Sequence, residues 1–402
     1  MNKVVTGNEA AAYGAMLSRP QVVTGYPITP QSRITEQLAE FCARGILKAK
    51  YVPVESEICA LAYVMGAAKG GVRVFTATAS HGLMLMHEHL HVAGGAGLPI
   101  VMAECNRSVG TPGGLHAELK DTLSQRDTGW MQFYCESVQE ILDTVIQAYR
   151  ISETVFIPAM VIITGIYLSY LSEGIDIPEQ EKVDAYLPPY KPQFQEGAGG
   201  VKLVQEHLGG IGRGAMGMTY EQAKMQDKCV DAVLRANEEF EALFGRGYLP
   251  VEEYKCEDAD VVVVMAGSAV GTGRCVIDRL REKGYKVGLV KIKMFRPFPK
   301  ELVRKALAGR KKIAVIERDC IPGQGGVFCQ EIKWALSMPG VEGPSMYGFV
   351  SGLGGADISP RLIEKAILFT IETDLPEKDI IWLGLAEKER GDKDDRNYIK
   401  IQ

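Results

Sequence analysis

The sequence lacks the cysteine patterns that mark local metal or iron–sulfur sites. Its nine cysteines are dispersed between Cys42 and Cys329, and no two of them form a CxxC pair. Dispersed cysteines in apolar segments are typical of reduced, buried thiols in a reducing compartment. A zinc knuckle or a cluster held within this chain is therefore not expected.

An excess of basic residues and a long hydrophobic run are also missing. The 45 Lys and Arg residues face 50 Asp and Glu, a formal net charge of −5, which argues against binding to nucleic acid. The most apolar run, Val155–Leu171, contains Pro158 and is shorter than the about 20 residues of a membrane span. The first residues lack the apolar stretch of a signal peptide. We expect a cytoplasmic protein with no membrane association.

The chain is long enough for two domains, and its first part alternates short β-rich runs with longer helical segments. This order predicts βαβ units and a parallel sheet covered on both faces. The predicted strands are Val22–Tyr26, Val72–Thr76, Pro99–Ala103 and Ala159–Ile163, and the helices between them are Ile58–Gly70, Leu83–Ala93 and Val138–Glu153.

The regular pattern stops near Pro178. The segment Pro178–Gly214 is rich in Pro, Gly and charged residues and is predicted to be an extended connection, followed by helical sequence at Thr219–Phe244. A second alternating block then comprises strands at Val261–Met265, Val287–Lys291 and Lys312–Ile316 and helices at Gly271–Lys283 and Lys300–Leu307. We therefore predict an α/β protein with two open parallel-sheet domains, residues 1–245 (with the connection and helical segment at about 178–245) and 246–402.

Three polar groups follow predicted strands, where ligands bind in open parallel sheets. The first is Gly25–Pro30, with the hydroxyl of Thr29 between two prolines. The second is Glu55-Ser56-Glu57, where Glu57 could bind a ligand or simply interact with the helix start. The third is Asn106-Arg107, whose guanidinium could clamp a carboxylate or form a structural ion pair.

Two other patterns are weaker candidates. His87 and His91 stand one helical turn apart, but no third metal ligand follows at a typical spacing. Gly323–Gly326 could bind a phosphate, although a tight turn or a subunit contact fits the sequence better. No dinucleotide fingerprint opens either βαβ block, which disfavours a stand-alone nicotinamide-dependent dehydrogenase.

An ordered set of motifs resembles the α subunit of pyruvate:ferredoxin oxidoreductases. The match runs through nearly the whole chain, and the order of the motifs makes it specific. The motifs are GNEAAAYGA at 7–15, GYPITP at 25–30, ESE at 55–57, FTATASHGLMLMHE at 75–88, NR at 106–107, QRDTGWMQFY at 125–134, MFRPFP at 294–299, ERD at 317–319 and YGFVSGLGG at 347–355.

The resemblance implies a thiamine-diphosphate-dependent oxidoreductase of EC 1.2.7 type whose work is divided among subunits. It implies a thiamine pyrimidine-binding-type domain followed by a domain like the C-terminal domain of transketolases. The diphosphate and Mg²⁺ would be held by a partner subunit, which agrees with the absence of a GDG motif here. Iron–sulfur clusters would lie in partner subunits only, among them ferredoxin-like and γ-type subunits, and ferredoxin would accept the electrons.

The resemblance also assigns roles to residues. Glu57 would be the catalytic residue, bonding to the aminopyrimidine ring of the cofactor and promoting loss of the thiazolium C2 proton. Pro27 and Ile28 would contribute to cofactor binding, and Thr29 and Arg107 would face the substrate carboxylate. No metal ligand is assigned to this chain.

Two departures from the family bear on the substrate. Arg33 adds a cation close to Thr29, and a Gly-rich loop, Gly110–His116, replaces a Pro-Trp-containing loop, with His116 as a further candidate substrate ligand. A second cation would suit a second carboxylate, so we expect oxalate as the substrate. The alternatives are pyruvate or another 2-oxoacid, with Arg33 in solvent or paired with Glu36, and a non-catalytic assembly subunit. The glycines make the loop a candidate for gating.

Overall fold

The computed structural model describes residues 1–110, 113–192, 215–337, 343–376, 378–385 and 398–399. Residues 193–214 of the predicted connection and residues 111 and 112 of the predicted gating loop lie outside this part. The described residues form two seven-stranded sheets and a two-stranded ribbon, with helices packed on both large sheets. The α/β class and the two open sheets are as predicted.

The first sheet is built from the N-terminal half of the chain and one later strand. Its strands are β2 (Val22–Gly25), β3 (Lys50–Pro53), β4 (Val74–Thr78), β5 (Val101–Cys105), β6 (Met131–Tyr134), β7 (Ala159–Ile163) and β12 (Met294–Arg296). They lie in the order β12-β6-β7-β5-β4-β2-β3, and all pairs are parallel except β12 with β6. The ribbon pairs β1 (Asn2–Thr6) with β8 (Ser172–Asp176).

The helices of this half cover both faces of the sheet. They are α1 (Gly7–Leu17), α2 (Ser32–Ala43), α3 (Glu57–Lys69), α4 (Ser80–Leu85), α5 (His87–Gly95), α6 (Lys120–Leu123), α7 (Val138–Val155), α8 (Gln180–Tyr186), α9 (Ala215–Asp227) and α10 (Cys229–Phe244). Helices α1, α2 and α7 pack on one face and α3 and α5 on the other, which explains why β4 and β5 are buried along their whole length. The predicted helix Leu83–Ala93 is divided at Met86, where ψ is −6°.

The second sheet follows the same plan. Its strands are β9 (Val251–Tyr254), β10 (Val261–Met265), β11 (Val287–Ile292), β13 (Lys312–Glu317), β14 (Ser345–Val350), β15 (Ile381–Leu383) and β16 (Tyr398–Ile399), in the order β16-β15-β14-β13-β10-β11-β9. Its helices are α11 (Ala269–Glu282), α12 (Lys300–Leu307), α13 (Val327–Leu336) and α14 (Pro360–Glu372).

Each sheet has a point where the chain reverses its direction of winding. In the first sheet the chain passes from β2 to β3 on one side and then crosses to β4 on the other side of β2. In the second it passes from β10 to β11 and then crosses to β13. Crevices at the carboxyl ends of such strands are the usual ligand sites of open α/β sheets.

Strand β12 and a buried ion network join the two halves. Only Lys293 separates β11 of the second sheet from β12, which pairs antiparallel with β6 in the first sheet. Lys291 and Lys293 each lie 3.0 Å from a carboxylate oxygen of Glu140 on α7, and these three side chains are almost fully buried. Breaking one partner of such a network leaves a buried charge uncompensated.

The network predicts an acid-sensitive contribution to stability. Burial alone would raise the pKa of Glu140, but the charges of Lys293 and Lys291 lower it to about 2. Because an unfolded glutamate titrates near about 4.3, this carboxylate stabilises the fold above about pH 4.3 and loses its contribution as pH falls towards 2. We expect Glu140→Gln to lower the free energy of unfolding at pH 7 by about 3–5 kcal/mol and to weaken its acid dependence below pH ~4.

Urea unfolding at pH 7, 4 and 3 measures this effect. The matched control is Glu239→Gln, which removes a carboxylate that pairs with Arg150 at 2.9 Å but is half exposed. That change should alter the free energy of unfolding by less than about 1 kcal/mol. Equal losses in the two variants would contradict a special role for the buried network.

Candidate active site

Glu57 lies at the N-terminus of α3, next to the carboxyl end of β3. Ser56 caps the helix by accepting from the N–H of Cys59, so the Glu57 carboxylate is not needed as the cap. Its side chain is only 8% exposed. Within the described residues, no hydrogen bond or ion pair satisfies this carboxylate. The carboxylate is therefore available to a ligand that brings a donor.

Gly82 and Thr78 form the wall against which Glu57 rests. A Cβ placed on Gly82 would lie 2.7 Å from the Glu57 Oε1 and 2.6 Å from the Thr78 Oγ1, so only glycine leaves room for the carboxylate there. The Thr78 hydroxyl, at the end of β4, is buried and has no hydrogen-bond partner in the described structure. Two polar groups without a protein partner therefore lie together at the carboxyl edge of the first sheet, where the chain reverses its winding.

Arg107 follows β5 at the same edge of the sheet. Its Nη1 donates to the Thr29 carbonyl oxygen at 3.0 Å and its Nε to the Gly114 carbonyl oxygen at 2.9 Å. These carbonyls fix the guanidinium without neutralising it, and no carboxylate pairs with it among the described residues. The arginine therefore retains a full positive charge and free N–H groups, which suits a carboxylate ligand.

Arg33 is in a different situation. Its guanidinium lies 3.1 Å from a carboxylate oxygen of Glu40, 3.5 Å from Glu9 and 3.9 Å from Glu36. It also donates to the side-chain oxygen of Gln37 at 2.8 Å. The ion pair with Glu36 is the one named in our alternative expectation, whereas the nearer partners Glu40 and Glu9 were not expected.

The remaining predicted residues lie around this edge. Thr29 is exposed and precedes a cis peptide bond to Pro30, Pro27 is exposed, and Ile28 is half buried against the core. His116 packs on the second half of the chain: a Cβ on Gly355 would lie 2.3 Å from its Nδ1. The structure thus gathers Thr29 with Arg107, whereas the His116 imidazole lies against a glycine of the other sheet.

A buried acid pair behind Arg107 was not singled out from the sequence. Glu104 on β5 and Asp121 on α6 are fully buried and linked through the amide of Asn106, which donates to Glu104 at 3.1 Å and to Asp121 at 2.7 Å. Burial, with the charge of Asp121, raises the pKa of Glu104 well above its usual range. The sequence does indicate Glu104, because this acid interrupts an otherwise apolar strand.

The glycine turn at Gly323–Gly326 is not a phosphate site. Ile321 and Gly325 form a β-bridge, as a tight turn requires, and the helix start behind it is already filled. The N–H groups of Phe328 and Cys329 donate to the Glu317 carboxylate at 2.8 and 3.1 Å. An anion at this helix N-terminus would have to displace a side chain of the protein.

The histidines of α5 do not gather a metal-binding set. The rings of His87 and His91 meet edge to face with centroids 4.9 Å apart, and the His87 Nδ1 lies 2.6 Å from the Gln125 Oε1. Among the described residues, no group of three or more His, Cys, Asp or Glu side chains could hold a metal ion.

Comparison with known families identifies the family to which this chain belongs. Residues 13–239 match the family described as pyruvate flavodoxin/ferredoxin oxidoreductase, thiamine diphosphate-binding, and residues 259–363 match pyruvate:ferredoxin oxidoreductase core domain II. The chain belongs to the α subunits of the 2-oxoacid:ferredoxin oxidoreductases. The resemblance drawn from the motifs is confirmed, as is the enzyme class.

Curated relatives of the α subunit match along almost their whole length. Pyruvate synthase subunit PorA of Methanothermobacter thermautotrophicus is 42% identical over 393 residues, covering 96% of this chain and 99% of that protein. Ketoisovalerate oxidoreductase subunit VorA of Pyrococcus horikoshii is 42% identical over 396 residues, covering 96% and 98%. Pyruvate synthase subunit PorA of Pyrococcus furiosus is 41% identical over 390 residues, with the same coverage. These names support the pyruvate or related 2-oxoacid alternative and give no support to oxalate, our first expectation.

Two solved structures share the fold of the α subunit. A 2-oxoglutarate:ferredoxin oxidoreductase from Magnetococcus marinus, with 2-oxoglutarate, coenzyme A and succinyl-CoA bound, superposes with a TM-score of 0.69 at 20% identity, over 92% of this chain and 65% of that one. A split-gene transketolase superposes with a TM-score of 0.54 at 13% identity, over 92% of this chain and 98% of the other. These likenesses agree with the predicted succession of a thiamine-type and a transketolase-type domain.

The site residues fit a thiamine cofactor. A nearly buried carboxylate and a buried hydroxyl, both without a protein partner, can bind a polar organic group that brings its own donors and acceptors. Of the described helices, none is long and apolar enough to cross a membrane.

The close approach of Gly82 to Glu57 predicts that a larger residue at position 82 displaces the Glu57 carboxylate and weakens cofactor binding. Gly82→Ala places a methyl group against the Glu57 Oε1 and the Thr78 Oγ1, so the carboxylate must move. We expect the variant complex to bind thiamine diphosphate at least about 10-fold more weakly, equivalent to about 1.4 kcal/mol. Fluorescence titration of the purified complex with the cofactor measures this.

Gly66→Ala is the matched control. Gly66 lies in the same helix as Glu57, and a Cβ there meets nothing within 4 Å. This variant should keep its cofactor affinity and gain about 0.5–1 kcal/mol of stability from the better helix former. Unchanged affinity in Gly82→Ala would show that the close approach to Glu57 does not matter.

Proposed function

We propose that this α subunit supplies the thiamine-activating carboxylate and the substrate clamp of a pyruvate:ferredoxin oxidoreductase, which converts pyruvate and CoA to acetyl-CoA and CO2. The observation that carries the proposal is the contrast between two arginines. Arg107 is held by carbonyl oxygens and keeps its charge, whereas the charge of Arg33 is paired with three carboxylates. One available cation suits a substrate with one carboxylate.

The residues at the sheet edge have separate tasks in this proposal. Thiamine diphosphate, when bound, supplies the carbon nucleophile and electron sink for decarboxylation of a 2-oxoacid. Glu57 hydrogen-bonds the aminopyrimidine ring, and because its side chain is only 8% exposed, little water competes for this hydrogen bond. Pro27 and Ile28 line the cofactor, and Arg107 and the hydroxyl of Thr29 orient the substrate carboxylate. We also propose that His116, in the loop beside Arg107, contacts the substrate.

The proposal divides the remaining work among other chains. A partner subunit holds the diphosphate and Mg²⁺, and further partners of ferredoxin-like and γ type carry the iron–sulfur clusters that pass electrons to ferredoxin. The sequence has no GDG motif and no CxxC pair for these tasks. We also propose that the boundary between the two domains of this chain lies between residues 245 and 246.

The first test concerns Glu57. Glu57→Gln keeps the size of the side chain but removes the acid, so we expect turnover of pyruvate to fall by at least about 100-fold while the complex still assembles. Methyl viologen reduction and size-exclusion chromatography measure the two properties. The control Glu55→Gln changes an exposed acid two positions earlier and should leave turnover unchanged. Full turnover in Glu57→Gln would instead favour a non-catalytic assembly subunit.

The second test concerns the substrate. Each arginine is replaced by methionine in a separate variant. Arg107→Met should raise the KM for pyruvate by at least about 10-fold, because a charged hydrogen bond to the substrate carboxylate is lost. Arg33→Met should change that KM by less than about threefold. The viologen assay with pyruvate, ketoisovalerate, 2-oxoglutarate and oxalate completes the experiment. Turnover of oxalate alone, with a strong effect of Arg33→Met, would restore the dianion hypothesis.

A further inference from the structure

A buried carboxylate lies directly behind the substrate-binding loop. Asp121 Oδ2 accepts from the backbone N–H of Arg107 at 2.8 Å and from that of Ser80 at 3.1 Å. These two residues follow β5 and β4, the strands that carry Arg107 and Thr78 to the site. Asp121 is fully buried, so one side chain joins the two loops without competition from water.

The Ser80 turn needs such support. Its φ is +51°, a conformation that residues with a side chain rarely adopt, and its hydroxyl donates to the Ser108 carbonyl oxygen at 2.7 Å. Two residues later stands Gly82, against which the Glu57 carboxylate rests. Asp121 thus supports both the Ser80 turn, which leads to Gly82 and Glu57, and the loop that carries Arg107.

Glu104 supplies the second half of the arrangement. Asp121 receives hydrogen bonds from two loop N–H groups, from the Asn106 amide and from its neighbour Thr122. Glu104 has fewer donors, with the Asn106 amide at 3.1 Å and the Ser80 N–H nearby. The negative charge is therefore better stabilised on Asp121, and the proton resides on Glu104. A proton on Glu104 would let its carboxyl group donate to Asp121 and fix the direction of that carboxylate.

We propose that Asp121, supported by Glu104, is a positioning residue that sets the affinity of the α subunit for its 2-oxoacid substrate. The carboxylate acts through the backbone N–H of Arg107 and does not touch the substrate. This inference rests on the proposed substrate-clamp role of Arg107. Glu104 acts as a neutral donor, so an amide of the same shape can replace it.

The experiment uses the whole complex and compares variants that differ in one hydrogen bond. Asp121→Asn leaves a single oxygen for four N–H donors, those of Ser80 and Arg107 on one carboxylate oxygen and those of Asn106 and Thr122 on the other, and sets an NH2 group against one of these pairs. The side chain can no longer hold the loops in place, and the KM for pyruvate should rise by at least about 10-fold. Glu104→Gln should keep the KM within about threefold of wild type, since its amide N–H replaces the acid proton. Glu104→Met removes the donor and should raise the KM as Asp121→Asn does. In all of these variants we expect kcat to fall less than KM rises.

Thr122→Val is the control for a merely structural role. Thr122 bonds to Asn106 and Tyr134 in the same buried network, but its side chain contacts neither loop N–H. It should lower the melting temperature of the complex and leave the KM unchanged. A KM unchanged in Asp121→Asn, or raised equally by Glu104→Gln and Glu104→Met, would overturn the inference.

The outcomes of this experiment distinguish failure of the proposed function from failure of the inference. Absence of pyruvate turnover in the wild-type complex would overturn the proposed function together with the inference, whereas wild-type turnover with an insensitive Asp121→Asn overturns the inference alone. If Asp121→Asn does not assemble, the comparison of Glu104→Gln with Glu104→Met still decides it, because Gln keeps a donor for Asp121 and an acceptor for Asn106 and Met keeps neither. Equal KM values for these two variants would then be the contrary result.

Discussion

The sheet edge that carries the proposed site depends on the parallel pairing of β2 with both β3 and β4. Parallel strands end at the same edge of a sheet, so the loops after β2, β3, β4 and β5 meet although their residues are far apart in the chain. Glu57 follows β3, Thr78 closes β4 and Arg107 follows β5. Without this pairing, none of the three would have a neighbour of the right chemistry.

Burial then decides which polar groups are available for chemistry. Glu317 has the same side chain as Glu57, but its carboxylate, at the end of β13, faces the start of α13 and accepts from the N–H groups of that helix. The start of α3 is capped by Ser56 instead, which leaves the carboxylate of Glu57 unengaged. Glu317 is therefore committed to the fold, whereas Glu57 is free for the role that we propose for it.

The sequence was a good guide to whatever depends on local pattern. The apolar run Ala159–Ile163 became β7 at the predicted residues, and Lys300–Leu307 became α12. It was a poor guide to pairing between distant residues. The three-residue strand β12 exists because Met294 pairs with Phe133 of β6, which no local pattern indicates. Arg33 was expected near the substrate from its closeness to Thr29 in the sequence, whereas its contact with Glu9 arises only from the packing of α2 beside α1.

The junction at Lys293 has a mechanical consequence. Because a single residue joins a strand of one sheet to a strand of the other, rotating the two sheets against each other would pull β12 away from β6 and expose the charges of Lys291 and Glu140. Hinges need a connection whose dihedral angles can change without loss of pairing. We therefore expect the α subunit to be stiff at this junction, with changes of shape confined to its loops.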